Sequence, residues 1–161
     1  GSRAAMEPAK RMFLSRSYWS DNIGLAASIA TITELKRRDS ARRFKEIGES
    51  LRSALNQAIE GAGLSGQCVG LHTNPMIRLN LPDEALRPKV NTLFIQEMAK
   101  LGIHCSVAFK FTLAHTEDDI QVTAQAAQEA LGVIRQGLES GDVDSLLTVD
   151  IKKEPFRRLV K

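Results

Sequence analysis

An α+β fold is what this sequence predicts, with long helices first and then a small antiparallel sheet covered by helices. Three observations carry that reading. Four segments repeat apolar residues at spacings of three and four. The stretches between them alternate apolar and polar side chains or run apolar. The resulting order is helix, helix, strand, strand, helix, strand, helix. A chain of 161 residues, 43% hydrophobic and 25% charged with both signs mixed, can bury one sizeable core and reads as a soluble globular chain.

The first helix follows Ser20-Asp21 and carries Ile23, Leu25, Ala26, Ala27, Ile29, Ala30, Ile32 and Leu35 before Lys36-Arg37-Arg38. It is apolar on nearly every side, so it needs cover on several faces. The second starts near Ser40, places Phe44, Ile47, Leu51, Leu55, Ala58 and Ile59 on one stripe, and stops in Gly61-Ala62-Gly63. Cys68 to Leu71 and Met76 to Leu81 follow as strands; in the latter Ile77, Leu79 and Leu81 alternate with Arg78 and Asn80 until Pro82-Asp83. A third helix carries Val90, Phe94, Ile95 and Met98 and closes at Gly102, after which Ile103 to Leu113 reads as a third strand. The fourth helix sets Ile120, Ala124, Ala127, Leu131, Ile134 and Leu138 on one stripe and ends near Gly141. Its start, Thr116 followed by Glu117, Asp118 and Asp119, has the form of a capping box with acidic residues at the positive helix end.

Composition narrows the function classes. The apolar stretch Ile23 to Ile32 is too short to cross a bilayer, and no secretory signal pattern opens the chain, so membrane association is not expected. Gly1-Ser2 reads as a cloning scar. Cys68 and Cys105 match neither a disulfide framework nor a metal-ligand spacing and fit buried free thiols in a reducing cytoplasm. A net charge of +3 decides little. The run Lys36, Arg37, Arg38, Arg42, Arg43 and Lys45 is interrupted by Asp39, Glu46 and Glu49 and lacks interleaved stacking residues beyond Phe44. It therefore reads as a solvated helix face rather than a nucleic-acid surface.

Most candidate chemistry fails on context. Gly61-Ala62-Gly63-Leu64-Ser65-Gly66 satisfies the pattern of a dinucleotide fingerprint, but it follows a helix and precedes a strand, the reverse of what phosphate binding needs. His72, His104 and His115 have no helical ligand spacing with one another, so no metal site is expected. No G-x-S-x-G elbow supports a catalytic triad. Lys110, at the end of an expected strand, reads as a surface residue. One stretch keeps two readings open. Ser15-Arg16-Ser17-Tyr18-Trp19-Ser20-Asp21-Asn22 lies directly before a helix start, where hydroxyls and backbone N–H groups can receive a phosphate, or serve only as a cap.

The run Leu113-Ala114-His115-Thr116-Glu117-Asp118-Asp119-Ile120 resembles the strand-to-helix junction near the C-terminus of class III pyridoxal-phosphate aminotransferases, glutamate-1-semialdehyde 2,1-aminomutase and its relatives in particular. The resemblance runs from about Met6 to the tail through Phe156-Arg157-Arg158-Leu159. It is sharpest over Ser17 to Thr31 and Ala114 to Thr123. It implies the C-terminal small domain of a fold-type I pyridoxal-phosphate enzyme. Residues 1–20 would then hold the scar and the end of the large-domain region, 21–62 the linking helices and 63–161 the small domain. Matching Ala26-Ala27-Ser28-Ile29-Ala30-Thr31 to the family's Ala-Ala-Gly-Ile-Ala-Thr-like helix brings Ser17 onto a threonine whose hydroxyl reaches the phosphate of the neighbouring subunit's cofactor. Ser17 keeps the hydroxyl and loses the methyl.

The Schiff-base lysine and the aspartate that pairs with the pyridine nitrogen lie upstream of this region in the family. The resemblance therefore implies a fragment of a cytoplasmic, homodimeric aminotransferase or aminomutase acting on an amino-acid or carbonyl substrate. It implies pyridoxal phosphate in the full-length parent, the rest of the large domain as partner, and no catalytic residue or stoichiometric cofactor in the fragment alone. The competing expectation is a noncatalytic interaction or dimerisation module with the same small α+β fold.

Overall fold

The computed structural model describes residues 2–13 and 21–152. It divides into two compact units, Gly1–Arg38 and Asp39–Lys161. Among the described residues no helix is long and apolar enough to cross a membrane.

The first unit holds a single-turn helix α1 (Arg3–Met6), a 3₁₀ turn (Glu7–Arg11) and the helix α2 (Asn22–Arg37). Asp21 starts α2 by accepting the Ile23 N–H at 3.0 Å, and Glu34 gathers Arg37 and Arg38 at its end. No residue of α2 is buried. Ile23 is 80% and Ile29 67% exposed, so among the described residues nothing covers this apolar helix as its sequence requires.

The second unit contains the core. Helix α3 (Ser40–Gly61) packs on α5 (Glu117–Ser140) and on strand β1 (Gly66–Val69), and α4 (Arg87–Lys100) also packs on α5. Helix α3 supplies Ile47, Leu51, Leu55 and Ile59 to the core of the second unit. Leu55, Leu93, Met98, Ala127, Ala130 and Leu131 are wholly enclosed where the three helices meet. Helix α5 opens with the expected capping box. The Thr116 hydroxyl accepts the Asp119 N–H at 3.4 Å, and the Asp119 carboxylate accepts the Thr116 N–H at 2.7 Å. It ends at Gly141 in the left-handed conformation.

Strand β1 pairs antiparallel with β2 (Met76–Leu79), Cys68 opposite Ile77. The outer edge of β1 is closed at Cys68, whose N–H donates to Asn56 Oδ1 of α3 at 2.7 Å. The expected third strand does not form. Met76 and Ala108 make a single bridge, flanked by Ile77 N–H to Val107 O at 2.9 Å and Phe109 N–H to Pro75 O at 2.8 Å. Local bonds divert the rest of the segment. Ser106 Oγ both donates to Ala108 O and accepts the Ala108 N–H, and Thr112, Ala114 and His115 bond among themselves. Side-chain bonds of this kind compete with a ladder for the same backbone groups.

Candidate functional site

The candidate site of the second unit is a pocket lined in large part by that segment, residues 103–111. With residues of α3, α4 and α5 the segment surrounds an open space of about 570 Å³. Leu51 from α3, Ile120 from α5 and Phe109 form a buried apolar floor, while Lys110 and Lys152 are exposed at the mouth. Two ring contacts hold the walls. Phe109 meets Phe94 edge-on at 6.3 Å, and Phe111 meets Phe44 of α3 at the same distance, tilted by 45°.

Lys152 reaches the pocket because the segment that follows α5 is tied along α4. Gln96, itself buried, donates to Leu146 O at 2.9 Å and accepts the Thr148 N–H at 2.7 Å and its hydroxyl at 2.9 Å. Thr92 Oγ1 then accepts the Lys152 N–H at 2.9 Å. Neither Thr92 nor Gln96 stands out in the sequence, because a buried polar residue on a helix is recognisable only once its partners, about fifty residues away, are in place.

His104, Cys105 and His115 also line the pocket. Burial pushes the Cys105 thiol up to about 11 and raises the Cys68 thiol as well, so both favour the inert protonated form over the thiolate. His115 Nδ1 accepts the Thr112 N–H at 2.9 Å, which assigns the ring proton to Nε2. Among the described residues no group of three His, Cys, Asp or Glu could hold a metal ion.

The remaining candidates fall elsewhere. Ser17, the expected cofactor contact, lies outside the described residues. Gly61–Gly66 is the loop that ends α3, with Gly63 left-handed and Leu64 N–H returning to Ile59 O at 3.1 Å. In the basic run Arg42 pairs with Asp39 and Glu46 at 2.7 Å each, and Lys45 faces Glu49 at 3.8 Å. His72 sits against α3 at Gly48, away from the other two histidines' pocket. The sequence held one signal for the pocket that its reading as a strand obscured: residues 103–115 contain Lys110 and two histidines but neither Asp nor Glu.

The fold is an α+β unit, and comparison with known proteins finds the same fold within a larger one. The chain is similar in structure to the pyridoxal-phosphate internal aldimine form of the FumI protein of Sphingopyxis sp. MTA144, with a TM-score of 0.74 and 22% identity, over 87% of this chain and 34% of that one. In sequence it is similar to a 3-aminobutyryl-CoA aminotransferase of Cloacimonas acidaminovorans (strain Evry), 21% identical over 136 residues, which is 81% of this chain and 32% of that protein. No protein-family model matches the chain. The chain thus spans about a third of the length of each relative.

Proposed function

We propose that this chain is the C-terminal part of a pyridoxal-phosphate-dependent aminotransferase or aminomutase, from a cytoplasmic homodimer that acts on an amino-acid or carbonyl substrate. The observation that carries the reading is the agreement of two independent likenesses, one of sequence to an aminotransferase and one of fold to a pyridoxal-phosphate enzyme, each covering about a third of the larger protein. The capped junction Ala114–Ile120 supports it and supports the narrower resemblance to glutamate-1-semialdehyde 2,1-aminomutase.

The described residues do not by themselves make a cofactor cup. No carboxylate lines the pocket to pair with a pyridine nitrogen, and Lys110 and Lys152 lie at its exposed mouth rather than in the desolvated setting a Schiff-base lysine needs. In the full-length enzyme pyridoxal phosphate would supply the electron sink for amino-group transfer. This chain's share would be the hydroxyl of Ser17 toward a phosphate and surface for the dimer. Ser17→Ala in the full-length parent is expected to weaken cofactor retention by about 1.5–3 kcal/mol, the worth of one charge-assisted hydrogen bond. Equal affinity of mutant and wild-type apoenzyme for pyridoxal phosphate would remove Ser17 from the site.

A second reading, a noncatalytic dimerisation module, is favoured by the bare apolar surface of α2. The gene decides between them: a lysine-bearing large domain directly upstream in the same reading frame is expected, and its absence would leave the module.

A further inference from the structure

We propose that the pocket under residues 103–111 is a binding site for a medium-chain monocarboxylate, its carboxylate at the mouth between Lys110 and Lys152 and its apolar body on the floor of Leu51, Phe109 and Ile120. Nothing in this proposal requires the cofactor or the rest of a larger enzyme.

Charge is the first argument. No Asp or Glu lines the pocket, whereas its lining includes two lysines and two histidines. Several other cations of the same unit sit against carboxylates, Arg87 on Glu84, Lys89 on Asp144, Lys100 on Glu97 and Arg135 on Glu139, all at 2.5–2.8 Å. Lys110 and Lys152 have no such partner among the described residues. Two exposed lysines lining one cleft, with no acid in its lining, give it a positive potential that an anion relieves. Position is the second argument. Lys152 is brought there by the buried anchors Thr92 and Gln96, so its place at the mouth follows from the fold rather than from a free tail. His115 contributes a directional element: with Nδ1 occupied by the Thr112 N–H, its Nε2–H is a donor and the ring cannot accept there.

Shape supplies the rest. A pocket of about 570 Å³ lies within the range of small-molecule sites, and one open to solvent admits a ligand without unfolding. The buried floor is wholly apolar, so a ligand with a polar far end would lose hydrogen bonds to water that the floor cannot replace. An acid with one carboxylate and a hydrocarbon body matches both ends.

The test uses the 161-residue chain with octanoate as probe and octylamine, equal in tail and opposite in charge, as comparator. Titration followed by calorimetry and by the His115 ring resonances is expected to show one saturable octanoate site that shifts His115, with octylamine about tenfold weaker or more. Substituting Lys110→Gln and Lys152→Gln together should reduce octanoate affinity by about fivefold or more, strengthen octylamine binding by removing the repulsion, and leave the unfolding temperature unchanged, because both lysines are exposed. Equal binding of the two probes would show a merely apolar cavity. No saturable binding, an octanoate site that leaves His115 unmoved, or full affinity in the double mutant would each overturn the proposal.

Discussion

Gly48 is the position where a single methyl group should do most harm. It lies inside α3, buried, with the loop before β2 pressed against it. A Cβ built there would lie 1.8 Å from the His72 carbonyl oxygen, 2.6 Å from its carbonyl carbon and 2.9 Å from its Cα. Since Cβ contacts essentially never fall under 3.0 Å, helix and loop must part by at least about 1.2 Å, and the obstacle is backbone, which cannot rotate away. Overpacking of this kind costs about 1–3 kcal/mol, and a backbone clash belongs at the upper end. Alanine recovers about 1 kcal/mol of helix propensity, which leaves a net loss of about 2 kcal/mol for Gly48→Ala. Gly132 is the built-in control. It lies within α5 with no atom within 4 Å of a Cβ, so Gly132→Ala should gain about 0.5–1 kcal/mol. Urea unfolding followed by circular dichroism compares the two. The displacement should also reach the pocket, because the loop leads to Pro75, whose carbonyl accepts the Phe109 N–H. A Gly48→Ala chain that unfolds at the same or higher urea than the unsubstituted chain, or two alanine variants that shift together, would refute the reasoning.

Other outcomes follow from the same structure. The bare apolar residues of α2 should drive self-association, so replacing Leu25 and Ile29 by lysine should shift sedimentation toward monomer, and an unsubstituted chain that sediments as a clean monomer at high concentration would count against it. Thr116→Ala should cost about 1 kcal/mol at neutral pH by removing the cap of α5. Its hydrogen bonds from the Thr116 N–H and hydroxyl hold the Asp119 carboxyl below its ordinary value, so their stabilisation is present above the ordinary carboxylate range and lost as pH falls through it to the folded-state value. The gap between wild type and Thr116→Ala in thermal unfolding should therefore narrow at acid pH, the cap on the Asp119 N–H persisting, and a gap that widens there would reverse the assignment. Finally, the chain mixed with pyridoxal phosphate and passed through gel filtration should retain no stoichiometric cofactor absorbance and make no ketoacid from an amino donor. A retained one-to-one complex with turnover would mean the catalytic lysine is in this chain after all.

Much of this protein is local, and what is local was legible in its residues. The stripe of α3 from Ile47 to Ile59, its stop in Gly61–Gly63, and the Thr116–Asp119 box of α5 each depend on contacts within one or two helical turns, so spacing and residue type suffice to place them. The bareness of α2 was likewise visible as apolar residues on too many faces for one neighbour. Residues 103–113 show where that legibility ends. Their alternation of Ile103, Cys105, Val107, Phe109 and Phe111 satisfies a strand pattern, yet strand formation requires a partner along the whole length, and here the bonds of Ser106 and of Thr112 with His115 claim the backbone on either side of one bridge. The pocket, the placing of Lys152 by Thr92 and Gln96, and the contact of Gly48 with His72 all join residues distant in sequence. Only tertiary structure decides such matters, because side-chain period and capping chemistry carry information over a few residues, whereas a cavity and a close backbone approach are set by how separate elements pack.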